Sequence, residues 1–188
     1  MTRTMSHQSA LSVVLSAASE ETHDLITGAL APNTFRRAVN AWSHGGSAGQ
    51  MRSSSLLLMH LDWPGTAQDA APTRRERADL LREASALIAG TLRDSDVFGR
   101  ADATTLGLLL PSTPTHTAEG IARRLRATIS TRLRFRGQPV SLSIGLTPAI
   151  VDQPWRDATE ALRMAQEQGG DQTVLSGAAT HASLRLAA

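Results

Sequence analysis

Residues 92–111, LRDSDVFGRADATTLGLLLP, constrain the fold of this 188-residue chain more than any other stretch. Val97 and Phe98 belong to one apolar arm and LGLLLP (106–111) to the other, so the short polar turn between them predicts a tight antiparallel hairpin. Two strands are not stable alone, and the rest of the chain must supply a sheet and its cover. SSSLLLMHLD (53–62) is too short and apolar for a lone helix and reads as a buried strand. VSLSIGLTPAI (140–150) alternates with period two and reads as another, and QTVL (172–175) as a short last strand.

Helices fill the gaps. One starts at about Thr34, a residue able to cap the first turn, and stops at Gly45-Gly46. Residues 73–91 place Leu80, Leu81, Ala84, Leu87 and Ile88 on one face and end at Gly90. Thr117–Leu133 turns Ala118, Ile121, Leu125 and Ile129 inward, and WRDATEALRMAQEQGG (155–170) ends in glycines. The order β-α-β-β-α-β predicts an α/β (α+β) domain of the ferredoxin-like type, a mostly antiparallel sheet flanked by helices, with an extra helix pair. The expected organisation is a leader helix at 1–22, carrying Leu11, Val14, Leu15 and Ala18, a domain at 23–178 and a tail at 179–188.

Composition narrows the chemistry. There is no cysteine, so disulfides and thiolate metal sites are excluded. All 19 basic residues are arginine, which excludes a P-loop lysine and Schiff-base chemistry. The sequence pI of about 10.7 overstates the basicity, since the net charge is only +2. Arginine runs at 74–77, 123–126 and 132–136 read as solvated helix faces, and without an aromatic platform no nucleic-acid partner is expected. No apolar run reaches the ~20 residues of a membrane span, and a cytoplasmic location is expected. His44 and His116 lack metal-ligand spacing, His60 reads as a buried strand-end histidine more than a relic ligand, and no serine sits in a nucleophile elbow.

Element order and particular residues together resemble the GGDEF domain of diguanylate cyclases over nearly the whole chain after residue 22. HDLITG (23–28) is similar to the family's opening D-x-L-T-G, with Phe35 eleven residues after Asp24. RADATTLGLLLP (100–111) stands where R-Y-G-G-D-E-F-x-x-L-L-P would be. SLSIGL (141–146) resembles the S-x-G strand, and ATEALRMAQEQGGDQTV (158–174) resembles A-D-x-A-L-Y-x-A-K-x-x-G-R-N-x-V.

The resemblance implies that Asp102, Ala103, Thr104, Thr105 and Leu106 replace the signature turn. Thr104 then stands for one Mg²⁺-binding acid and His60 for the other, while Asp62 keeps the second position of the D-x-D. Gln166 and Gly170 replace the phosphate-facing lysine and arginine, Ala31-Pro32 an asparagine-arginine pair, and Gln68 falls near the guanine-reading asparagine. The expectation is a domain with no cyclase activity, no catalytic or metal residues and no cofactor.

The family's inhibitory R-x-x-D survives as Arg93-Asp94-Ser95-Asp96, with Asp96 four residues before Arg100, and the arginine of the following helix as Arg124. Arg93, Asp96 and Arg124 are thus the expected ligand-binding residues for cyclic di-GMP. An arginine fork suits a phosphate or a guanine O6/N7 edge, and a carboxylate accepts from guanine N1–H and N2–H. The resemblance implies a bacterial signalling domain, whose expected partners are cyclic di-GMP, an unidentified effector or partner protein, and a second copy in a homodimer. The alternative is a ligand-free interaction or dimerisation module that kept the fold for its surfaces.

Overall fold

The computed structural model describes residues 22–45, 54–64, 71–149 and 151–177. Its elements in order are α1 (Pro32–Gly45), β1 (Ser55–Asp62), α2 (Arg74–Ala89), β2 (Val97–Arg100), β3 (Thr105–Leu110), α3 (Thr115–Arg132), β4 (Arg134–Phe135), β5 (Gln138–Pro139), β6 (Ser141–Pro148), α4 (Pro154–Glu167) and β7 (Thr173–Leu175). The sheet order is β2-β3-β1-β6-β7. β1 pairs antiparallel with both β3 and β6, β2 pairs antiparallel with β3, and β7 joins β6 in parallel. The first four of these strands form the expected ferredoxin-like sheet, and α4 with β7 extends it at one edge. At the other edge Leu30 covers β2: its N–H donates to the Phe98 carbonyl and its carbonyl accepts from the Arg100 N–H.

Alternation of side chains across the strands explains why both faces are covered. Leu57, Met59 and Leu61 of β1, with Leu106, Leu108 and Leu110 of β3, pack under α2 and α3. Leu56, Leu58 and Leu109 face the other way, toward α1 and α4. Each such leucine contributes about 1.5–3 kcal/mol by leaving water.

Three glycines set the spacing on that second face. Gly99 and Gly107 lie opposite one another across β2 and β3, and a Cβ on either would come within 2.5 and 2.1 Å of Phe35. The Phe35 ring therefore rests directly on the hairpin backbone. At Gly145 an added Cβ would lie 2.2 Å from the Ala158 carbonyl, so α4 crosses β6 at backbone contact.

Several local expectations need correction. α1 begins at Pro32, whose missing N–H is harmless in a first turn, so Thr34 is a buried residue within the helix and not its cap. α2 has a capping box that TRRE spells out: the Glu76 N–H donates to Thr73 Oγ1, and the Thr73 N–H donates to Glu76 Oε2. α3 starts two residues early, at Thr115, and buries Ala122 more completely than Ile121. Residues 134–139 form the hairpin β4–β5, which the arginine-rich sequence concealed. The expected leader helix 1–22 lies outside the described residues except Thr22, as does the tail 179–188.

Candidate ligand-binding site

The tip of the β2–β3 hairpin is closed upon itself. The N–H groups of Ala101 and Asp102 donate to the Thr105 carbonyl at 2.8 and 3.3 Å. Asp102 Oδ1 accepts the N–H groups of Thr104 and Thr105 at 2.8 and 2.9 Å and the Thr104 hydroxyl at 3.2 Å. Burial disfavours the Asp102 carboxylate, but these hydrogen bonds outweigh it and hold its pKa below the usual range.

Arg100, just before the turn, is only 5% exposed. Its Nε donates to the Asp102 carbonyl at 3.0 Å, Nη2 to Ala103 at 2.6 Å, and Nη1 to Asp24 Oδ1 at 3.2 Å. Asp24 also accepts from Thr27 Oγ1 and from the N–H groups of Ile26 and Thr27. Against the effect of burial, these bonds and Arg100 lower the Asp24 pKa.

The end of β1 lies alongside, with His60 opposite Thr105. His60 Nδ1 and Asp62 Oδ1 are 3.4 Å apart. Asp62 Oδ2 accepts the Ser143 hydroxyl at 2.7 Å and the Asp171 N–H at 3.1 Å. Burial opposes ionisation of Asp62, but the bonds from His60, Ser143 and Asp171 prevail and its pKa is lowered. Asp171 is held in turn by Arg126 of α3, which donates Nη2 to its carboxylate at 2.9 Å. Among the described residues no three His, Cys, Asp or Glu side chains are grouped to hold a metal ion.

At the other end of β2, residues 93–96 make a separate turn. The Asp96 N–H donates to the Arg93 carbonyl at 3.0 Å, and Asp96 Oδ2 accepts the Arg93 N–H at 2.9 Å. Asp96 thus binds the Arg93 backbone and makes no ion pair with the Arg93 guanidinium. The Arg93 guanidinium is exposed and has no partner among the described residues.

Arg124 is also exposed, on α3. α2 and α3 cover the same face of the sheet. On α3, Ala118, Ala122, Leu125 and Ile129 point inward, while Arg123 and Arg126 border a cavity of about 220 Å³ with Thr173 and Leu175 of β7. At 3.6 residues per turn, Arg124 falls on the opposite flank, the side of α2, whose chain leads into the Arg93–Asp96 turn.

The sequence model described as "Diguanylate cyclase, GGDEF domain" matches residues 76–172, more than half of the chain. The chain belongs to the GGDEF family. Solved structures share the fold at low identity. The GGDEF domain of DgcB from Caulobacter crescentus, in complex with c-di-GMP, has a TM-score of 0.68 and 12% identity, covering 85% of this chain and 98% of that one. Diguanylate cyclase SiaD in complex with its activator SiaC, from Pseudomonas aeruginosa, gives 0.69 and 21%, covering 89% of this chain and 66% of that one. The FimX GGDEF domain from Pseudomonas aeruginosa gives 0.68 and 17%, covering 82% and 99%. No curated protein matches the chain.

Within this GGDEF domain the expected residues separate into two groups. His60, Asp62, Thr104 and Gly170 gather around the hairpin tip, while Gln68 lies outside the described residues. Arg93 and Asp96 share one turn, and Arg124 stands on the neighbouring helix. Sequence reasoning missed Arg100 as the residue that ties the tip to Asp24, a contact spanning 76 positions that no local pattern encodes.

Proposed function

We propose that this GGDEF domain does not cyclise GTP and serves as a cyclic di-GMP receptor through Arg93, Asp96 and Arg124. The contrast in hydrogen bonding between the two ends of β2 carries the reading. At the tip, four N–H groups are engaged within the hairpin and Arg100 is turned inward, so little remains to cradle a triphosphate. The donor set does not fit Mg²⁺, which takes carboxylate oxygens in near-octahedral geometry. Thr104 presents a hydroxyl turned to Asp102, and the Asp62 oxygens already accept from His60, Ser143 and Asp171.

At the base, two exposed guanidinium groups and one carboxylate oxygen remain available. Asp96 Oδ1 has no partner among the described residues and can accept from guanine N1–H or N2–H. Arg93 suits the O6/N7 edge, and Arg124 the phosphate or a stacked base. Calorimetric titration with cyclic di-GMP should give a micromolar Kd, on the order of −8 kcal/mol. Cyclic di-AMP should bind far more weakly, because adenine lacks those two donors and leaves Asp96 facing acceptors. Equal affinity for both would sink the assignment of Asp96 as the base-reading group, and no binding of either would sink the receptor.

One observation favours the second reading, a protein-interaction module. Leu25 is 98% exposed and is the one large apolar side chain so exposed among the described residues. Binding of a protein partner that is lost in Leu25→Ser, together with a flat cyclic di-GMP titration, would select it.

A further inference from the structure

Two of the three arginine runs in the sequence converge in space. Because β1 and β3 are antiparallel, the helices that follow them run in opposite directions over the same face, and α2 begins where α3 ends. Arg136 Nη2 reaches Glu76 Oε1 at 3.1 Å and so ties the β4–β5 hairpin to the first turn of α2. Around this bridge stand Arg74 and Arg75 in the first turn of α2, Arg132 in the last turn of α3, and Arg134 on β4.

All four of these arginines are exposed. Among the described residues Arg74, Arg75 and Arg132 have no side-chain partner, and Arg134 donates only to the Ser130 and Leu133 carbonyls at 2.8 and 3.0 Å. The acids nearby are occupied: Glu76 by Thr73 and Arg136, and Asp79 by Arg82. Five arginines thus face one glutamate in a chain whose net charge is only +2. Arg74 and Arg75 also stand where the helix dipole disfavours cations, so their placement gives the helix nothing.

We propose that this end of the domain docks on an anionic lipid surface. The positive charge is spread over a helix start, a helix end and a hairpin, which suits a field of phosphates more than one small anion. Single-stranded nucleic acid would need rings to stack on, and duplex DNA is the rival that the experiment below separates. Here Phe135 is buried with Arg136 over its face at 4.5 Å, and half-buried Trp63 lies beneath Arg77 at 5.6 Å. An acidic protein partner would normally seat on an apolar centre, which these arginines do not surround. The patch lies at the N-terminal end of α2, and the Arg93–Asp96 turn follows its C-terminal end, so the two surfaces are separate.

Flotation of the full chain with phosphatidylcholine vesicles, with and without phosphatidylglycerol, tests the proposal. Binding should require phosphatidylglycerol and fall with salt. Replacing Arg74, Arg75, Arg132 and Arg134 by glutamine should weaken it by roughly a thousandfold. A control with the same charge loss elsewhere (Arg37, Arg123, Arg156 and Arg163 to glutamine) should stay within roughly threefold of wild type. Circular dichroism of both variants separates lost binding from lost folding. Equal loss in the two variants would reduce the effect to net charge and overturn the patch. Failure to float with anionic vesicles, or patch-dependent binding to duplex DNA without vesicle binding, would overturn the lipid assignment.

Discussion

The two ends of strand β2 use the same residue types to opposite ends. Each has a turn closed by an aspartate: Asp102 holds the N–H groups of Thr104 and Thr105 at the tip, and Asp96 holds that of Arg93 at the base. Each also has an arginine. Arg100 is buried and satisfied by two carbonyls and Asp24, whereas Arg93 is exposed and its guanidinium is unpartnered among the described residues. The difference teaches that residue identity does not decide whether a side chain is structural or available to a ligand. Burial and the supply of internal acceptors do.

Arg100→Ala is the harshest way to break this comparison. It leaves Asp24 without its cation and two carbonyls without donors, so unfolding in urea should show a loss of about 3 kcal/mol. That lies at the lower end for a buried pair because the Asp24 side chain keeps 19% exposure. Arg93→Ala should cost under about 0.5 kcal/mol. Comparable losses in the two variants would erase the distinction between the ends.

Ligand linkage probes the other end. A ligand that binds only the folded state adds about 2.7 kcal/mol at a hundredfold excess over Kd. For a domain of this size, saturating cyclic di-GMP should raise the melting midpoint by roughly 5–10 °C. Arg93→Ala and Asp96→Ala should abolish the rise, and Arg124→Ala should reduce it. Asp96→Ala should also lower the unliganded stability by about 0.5–1 kcal/mol, since the Arg93 N–H loses its acceptor. A rise that survives Arg93→Ala would keep the ligand and move the site.

Acid sharpens the contrast further. Burial opposes the charge of Asp24 and Asp102, yet their hydrogen bonds leave both pKa values below the ordinary carboxylate range. A group whose folded pKa is depressed stabilises fully above its unfolded value, near 3.9, and that stability is lost as pH falls through the folded value. The urea midpoint should therefore hold at neutral pH and fall below about pH 4. Asp102→Asn should make the acid slope shallower. An unchanged slope would mean that the carboxylate does not organise the tip.

Much of this was legible in the sequence because strand period, helix period and glycine stops are local signals. The hairpin, the antiparallel sheet and the helices over 73–91 and 155–170 follow from them. The R-x-x-D of residues 93–96 was legible only as a family motif, and the turn closed by its backbone bonds was not. What else was not legible depends on contacts between distant segments. Nothing near Gly99 or Gly107 announces that Phe35 will lie on both, and nothing near Arg136 announces Glu76. The β4–β5 hairpin was hidden because two-residue strands carry no periodicity.

The smallest expected effect is also the most direct test of the tip. His60→Asp with Thr104→Glu restores acids at both positions where the family resemblance places metal ligands. Incubated with GTP and Mg²⁺, the double variant should still yield no cyclic di-GMP above background, as should wild type. Two carboxylates do not change the groups around them. Asp62 still accepts from Ser143 and the Asp171 N–H, and the Asp102 carboxylate still holds the turn. At the two positions where the family resemblance places phosphate-facing cations, Gln166 is neutral and Gly170 has no side chain. Supplying an arginine at 170 would meet a second obstacle. The backbone there has φ +73°, and a Cβ would stand 3.1 Å from Asp62 Oδ2. A left-handed position pressed against a carboxylate accepts a long side chain only with strain. Detectable turnover in the double variant, from protein free of contaminating cyclase, would mean that the tip opens for nucleotide and that the two ends of β2 differ less than their hydrogen bonds indicate.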